Sequence, residues 1–344
     1  MVELCRYTGN FVLKMAVNDS IIYHFESFMV EKRNKRKGVY IVAKYITKRV
    51  FLAIATLFIV CGITFFAMNA IPGGPFDGEK AISPEVRRVL EERFNLDKSV
   101  PEQFVLYLNN LLHGDFGVST KTGRDIKTTI FSSFAVSAKL GGMAVIVAVI
   151  CGVVLGCIAA LNRNKLADRL IIFLSTLFTS LPSFVFGTLL LLVFSTKLKL
   201  FQAWSADSTN YLLPVIALSA SPMAYITRLT KTSMLDALGQ DYVRTARAKG
   251  VAQWKVIFKH TLRNALIPVI TYVGPLTASI LTGSLVIESI FSIGGLGSKF
   301  VSCITNRDYP MIMGTTIFLA TLMISVNLIT DIVYKIVDPR IKLD

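Results

Sequence analysis

Six uncharged, strongly apolar runs, residues 50–76, 140–162, 170–196, 208–227, 264–287 and 309–330, dictate what this chain can fold into. A bilayer core takes about 20 mostly apolar residues per helix, and every run is long enough. A water-soluble fold would have to hide six such stretches in one core, which excludes it. Composition agrees, with 53% hydrophobic and 17% charged residues against about a quarter charged in soluble domains. The expected fold class is an all-α integral membrane protein with six transmembrane helices.

Lysine and arginine are retained preferentially in short cytoplasmic loops. With the N-terminus inside, 24 of the 37 basic residues fall inside and 13 outside, so both termini are expected in the cytoplasm. The net charge of +15 reads as this bias plus contact with anionic membrane lipid, and no nucleic-acid partner is expected. Cys61, Cys151 and Cys157 lie in apolar runs, Cys5 falls on the inner side and only Cys303 faces outward, so no disulfide framework follows. Cys151 and Cys157 do not share a helix face, and His24, His113 and His260 lie in three separate extramembrane segments, so no metal site is expected. No acidic, basic or histidine residue sits in the middle of a run, which argues against a proton-driven carrier.

Residues 1–44 read as a cytoplasmic N-terminal extension. Its basic run EKRNKRK, 31–37, is either a topology determinant or a lipid-binding patch. Residues 72–128 read as a helical extracytoplasmic segment. Ser83 caps a helix with Pro84 at its first position and Val86, Val89, Leu90 and Phe94 along one face. A second helix is expected from Pro101, with Phe104, Tyr107, Leu108, Leu111 and Leu112 as its stripe and Gly114 and Gly117 closing it. These helices either pack on the chain's own outer face or dock an extracytoplasmic partner. Pro182, Pro214 and Pro222 are expected to interrupt helical hydrogen bonding inside the third and fourth spans. Ser219, Ser221, Thr271, Thr277 and Thr282 suit either close helix packing or a pathway lining.

The basic segment 234–263 separates the fourth and fifth spans. From Met234 to Lys249 it is helix-permissive, with small Ala246 and Ala248 flanked by Arg244, Arg247 and Lys249. Gly250 suits the left-handed position that stops a helix. Helical spacing resumes from Ala252 to Leu262, with Trp254, Ile257, Phe258 and Leu262 on one face. The result is a short helix, a turn and an amphipathic helix at the membrane surface. It is either parked on lipid or offers its Ala-x-Ala-x-Gly edge to a groove on another protein.

This segment resembles the cytoplasmic loop of permease subunits of binding-protein-dependent ATP-binding-cassette importers, whose general form is E-A-A, three residues, Gly, nine residues, I-x-L-P. Arg244, Thr245 and Ala246 stand at the E-A-A positions, Gly250 at the glycine, and His260, Leu262 and Arg263 where I, L and P would be. These departures match the variant RTARAKG…HTLRNALIP of the peptide and nickel branch. TKRVFLAIATLFIV with AMNAIPGGPF, HGDFGVS, and ESIFSIGGLG with NRDYPMIMG resemble further signatures of that branch in the same order. The resemblance spans residues 45–344 and is nearest to the first permease of oligopeptide importers.

The resemblance implies a type I importer permease fold in the plasma membrane of a prokaryote. It implies a second homologous permease, two ATPase subunits and an extracytoplasmic peptide-binding protein as partners. ATP and Mg would sit on the ATPases, with no cofactor on this chain, no catalytic residue and no enzymatic activity of its own. The ATPases would grip Asp241, Arg244, Thr245, Ala246, Arg247, Ala248, Lys249, Gly250, Trp254 and His260, while the translocation path stays unassigned. Consistently, the chain has no G-x-x-x-x-G-K-S/T, and its cluster at Gly294, Gly295 and Gly297 is followed by Ser298 and Lys299 without that context. The cargo is expected to be an oligopeptide, with dipeptide, nickel-chelate or glutathione cargo as the alternatives within the same machine and a stand-alone secondary carrier as the alternative to it.

Overall fold

In the computed structural model the described residues are 47–71, 74, 76, 83–202, 204 and 209–337. The N-terminal extension with its basic run and the Pro-Gly turn after the first span lie outside them.

Helix α1 (Thr47–Ala70) is the first span. Two short helices follow, α2 (Pro84–Arg93) and α3 (Val100–Leu112), then α4 (Ile126–Leu161). The third apolar run becomes α5 (Leu166–Ser180) and α6 (Ser183–Leu190), the latter continuing as a π-helical turn at Leu191–Lys197. This pair bends by 102°. Helix α7 (Leu212–Leu238) leads into α8 (Asp241–Ala248), α9 (Gln253–Lys255), a π-helical turn at Val256–Leu262 and α10 (Arg263–Ala265). Helices α11 (Ile267–Gly283), α12 (Leu285–Ile290), α13 (Leu296–Thr305) and α14 (Tyr309–Val337) complete the order. The six runs are thus five long apolar helices and one bent pair, and the all-helical membrane fold is borne out.

The prolines act unequally. Only Pro182, at the break between α5 and α6, coincides with a bend; Pro214 falls in the first turn of α7, where its missing N–H is not needed, and α7 runs on through Pro222. The hydroxyls of Ser219, Thr271, Thr277 and Thr282 bond to carbonyls of their own helix one turn back. Helix α4 starts well before its apolar run, so Lys139 belongs to a helix rather than a loop, its Nζ 4.8 Å from the centre of the Tyr211 ring.

Helices α4 and α7 form the most extensive helix pair. Without a hydrophobic force between helices in lipid, close approach depends on small residues. Ala144, Ala148, Gly152, Gly156 and Ala160 recur every fourth position of α4 and are all buried. A Cβ on Gly156 would lie 2.5 Å from Thr230 Cβ and 2.7 Å from the Thr227 carbonyl oxygen, and one on Gly152 would lie 2.8 Å from Ile226 Cβ. Gly156→Leu is therefore expected to cost about 2–3 kcal/mol through overpacking and to lower the yield of monodisperse protein in detergent. Gly142→Leu, whose Cβ would meet nothing within 4 Å, is the control.

Three buried carboxylates tie distant segments together. Glu288, fully buried, accepts from Ser284 Oγ and from the N–H groups of Gly297 (2.9 Å) and Ser298 (3.2 Å). A Cβ on Gly295 would collide with that carboxylate, so the glycine cluster exists to wrap an acid. Asp308 accepts from Ser119 Oγ and from Thr120 N and Oγ1, joining the turn before α4 to the start of α14. Asp168 pairs with Lys231 Nζ at 2.5 Å and accepts from Asn164 N, pinning the start of α5 to α7.

Helix α3 packs Phe104, Tyr107, Leu108 and Leu111 into a cluster with Phe65 and Met68 of α1. This favours packing on the chain's own body for that helix. Leu112, expected in the stripe, is 86% exposed, and Val86 and Val89 of α2 are also open. Cys303 sits between spans but is buried, and burial pushes its thiol up to about 12. Since the thiolate is the nucleophile, Cys303 is expected to resist maleimide at pH 8 until the protein is denatured. Rapid labelling of the folded protein at this residue would contradict its packing.

Candidate functional site

The 234–265 segment is built differently from its sequence pattern in three respects. Helix α7 does not end with its apolar run but continues to Leu238 and stops at Gly239, so no single helix covers Met234 to Lys249. Helix α8 then restarts at Asp241, whose carboxylate in the first turn complements the helix dipole. Its end is a hydrogen-bonded reverse turn. Val251 N–H bonds to the Ala246 carbonyl at 3.2 Å and Gly250 N–H to the Arg247 carbonyl at 3.0 Å, with Gly250 at φ +74°. That pairing closes a helix C-terminus and needs a residue at ease in the left-handed region.

Ala246 is the second difference. It points inward, 7% exposed, against Val243, Val256 and Val251, so it clamps α8 to the next segment and offers no edge to a partner. The outward surface is made by Asp241, Arg244, Thr245, Arg247, Ala248, Lys249 and Gly250, all exposed. An Asp241–Arg244 pair at 3.6 Å is open to solvent and contributes little.

Beyond the turn, a π-helical stretch rotates the expected apolar face. Val256, Thr261 and Ala265 are buried, whereas Trp254 and Phe258, one turn apart, are each 62% exposed, with Lys255 Nζ 5.4 Å from the centre of the Trp254 ring. Thr261 Oγ1 donates to the Val256 carbonyl five residues back, which fits the wider turn. His260 is half-buried in a recess of about 540 Å³ with Tyr242, Lys259 and Arg263. Of the ten residues, eight are exposed, His260 is half-buried and Ala246 is turned inward. Among the described residues no group of three or more His, Cys, Asp or Glu is placed to hold a metal.

The family described as binding-protein-dependent transport system inner membrane component matches residues 152–343, and its N-terminal part matches 42–141. The chain belongs to this family. It is 46% identical over 305 residues to the dipeptide transport system permease protein DppB of Bacillus subtilis, covering 88% of this chain and 99% of that one. It is 43% identical over 303 residues to the oligopeptide transport system permease protein OppB of Haemophilus influenzae, covering 87% and 99%. Among solved structures, the methionine ABC transporter MetNI in an inward-facing conformation aligns over 62% of this chain and 97% of its own, at 12% identity and a TM-score of 0.49. As a binding-protein-dependent permease, the chain is a multi-pass inner-membrane protein and one component of a larger import system.

Two features of this permease escaped its sequence pattern: the Asp168–Lys231 pair and the buried Glu288. A lone acid among the basic residues 163–169 is the only sign of the first, and Glu288 stands one residue outside an apolar run.

Proposed function

We propose that this chain, with a second homologous permease, forms the membrane pathway of an ATP-driven importer for oligopeptides delivered by an extracytoplasmic binding protein. Two partner ATPases bind ATP and Mg and hydrolyse the nucleotide; this chain converts their closure into a change of the pathway's open side. The observation that carries this reading is α8, a short helix locked at Gly250 with Arg244, Arg247 and Lys249 facing outward, in a chain similar to peptide permeases over nearly its whole length. An exposed helix held by its own cap and by the Val243–Ala246–Val256 cluster can transmit a push to the π-helical turn at Val256–Leu262, which itself packs on α7. ATP drives the change only insofar as it binds one state better than the other.

The test is to purify the tagged chain in mild detergent, identify the co-purifying polypeptides by mass spectrometry, and assay the reconstituted complex for uptake of labelled peptides. Recovery of a second permease, ATPases with phosphate-binding loops and a peptide-loaded binding protein is expected, with uptake only in the presence of ATP. Activity of the chain alone in ATP-free liposomes would overturn the reading in favour of a carrier.

A further inference from the structure

Among the described residues, the apolar body opens where Pro182 and Pro222 come together. Pro182 at the α5–α6 break, Pro222 of α7 and the facing turns of α11 line a cavity of about 580 Å³, within the roughly 300–1,000 Å³ of ligand sites. Its position along α5, about 20 Å from Leu166 at 1.5 Å per residue, falls inside a bilayer core of about 30 Å.

The lining is polar. Most threonines of the spans spend their hydroxyl on a carbonyl one turn back, as Thr176, Thr227 and Thr277 do. Ser180, Ser183, Ser221 and Ser279, all in this groove, form no side-chain hydrogen bond with any described residue. Pro182 and Pro222 supply no N–H, so the carbonyls of Phe178 and Leu218 lose their helical donors. Tyr225 of α7 and Tyr272 of α11 stack across the groove with ring centroids 4.3 Å apart, Tyr225 being 42% exposed. Against lipid tails, so many unpaired groups would each carry a heavy penalty. The groove therefore faces a polar occupant.

We propose that this groove is a contact site for the transported peptide's main chain, a reading that rests on the peptide cargo proposed above. The serine hydroxyls and freed carbonyls offer both donors and acceptors to peptide N–H and C=O groups, which are the same in every sequence. The tyrosine pair gives a flat surface that tolerates different side chains. Among the described residues that line the groove none is charged, and Arg228 reaches it only through its hydrogen bond to Thr179 at the edge, so the site holds peptides weakly and with little regard to their charge, as a path must.

The experiment uses the whole complex in proteoliposomes. Peptides carrying a photoreactive benzophenone side chain are crosslinked during turnover and the attachment sites mapped, and Ser279→Trp and Ser221→Phe, which fill the groove, are assayed for uptake and for binding-protein-stimulated ATP hydrolysis. Crosslinks at 179–183, 218–225 and 272–280 are expected, with uptake in the filled variants falling at least about tenfold, or about 1.4 kcal/mol, while ATP hydrolysis persists and so shows an assembled complex. The Ser180→Ala/Ser183→Ala/Ser221→Ala triple variant, which adds no bulk, should raise the KM for uptake several-fold. Wild-type import with crosslinks elsewhere and unimpaired filled variants would overturn the groove assignment alone; a wild-type complex that imports no peptide would overturn the cargo reading beneath it.

Discussion

Complexes carrying Gly250→Asp are expected to assemble in the membrane at normal levels and to lose at least about tenfold in ATP-driven uptake, equivalent to about 1.4 kcal/mol of coupling. The separation of folding from function follows from the geometry. A Cβ at Gly250 meets nothing within 4 Å, so no packing is disturbed. The φ of +74° charges an L-residue about 1 kcal/mol, and aspartate tolerates that region better than most. What changes is the surface: a carboxylate appears beside Arg247 and Lys249, where the turn stands open. Gly250→Ala, which brings the strain without the charge, should lose less. Uptake at the wild-type rate in the aspartate variant would refute the assignment of 241–250 as the element gripped by the ATPases.

The second large effect is expected at the opposite extreme of burial. Glu288→Ala should destabilise the protein by about 3–5 kcal/mol, since it strands the buried donors of Ser284 and Gly297 at about 1–3 kcal/mol each, with a smaller loss at half-buried Ser298. Thermal unfolding followed by size-exclusion in detergent should show a large fall in Tm, or no folded peak at all. Glu288→Gln keeps the volume and one acceptor oxygen and should lie between. An alanine variant with the wild-type Tm would show that water replaces the carboxylate at no cost, contrary to the packing of Gly295 and Gly297 around it.

Much of this architecture is legible from residue type because a bilayer imposes it. Uncharged length locates the spans, and Ser83 with Pro84 starts α2 where a capping serine and a proline at the first position should. The left-handed turn at Gly250 was equally readable, since few residues other than glycine accept it. What sequence conceals is whatever depends on a partner element. Hydropathy ends the fourth span at Thr227, yet α7 runs to Leu238, with Lys231 on its flank paired to Asp168, 63 positions before it. Ala246 looks like an edge residue until Val256 arrives to cover it, and the rotation of Trp254 and Phe258 outward comes from a π-helical turn that a fixed 100° periodicity cannot represent. The stripe from Ala144 to Ala160 was visible but carries no meaning until another helix lies against it. The groove is the extreme case: its serines come from three separate spans, and of them only Ser221 stood out in the sequence, as suited to packing or a pathway alike.

The seam between α4 and α7 also limits how this permease can move. Gly152 and Gly156 sit where Ile226 and Thr230 leave no space for a methyl group, so a slide of even one residue would bring larger side chains into those places. Shear between these two helices is thus blocked, and they must travel as a single strut. One end of that strut carries α8 and its flank at Leu218–Tyr225 lines the serine groove, so a tilt imposed at the loop is carried toward the groove, as with an oar turning in its lock.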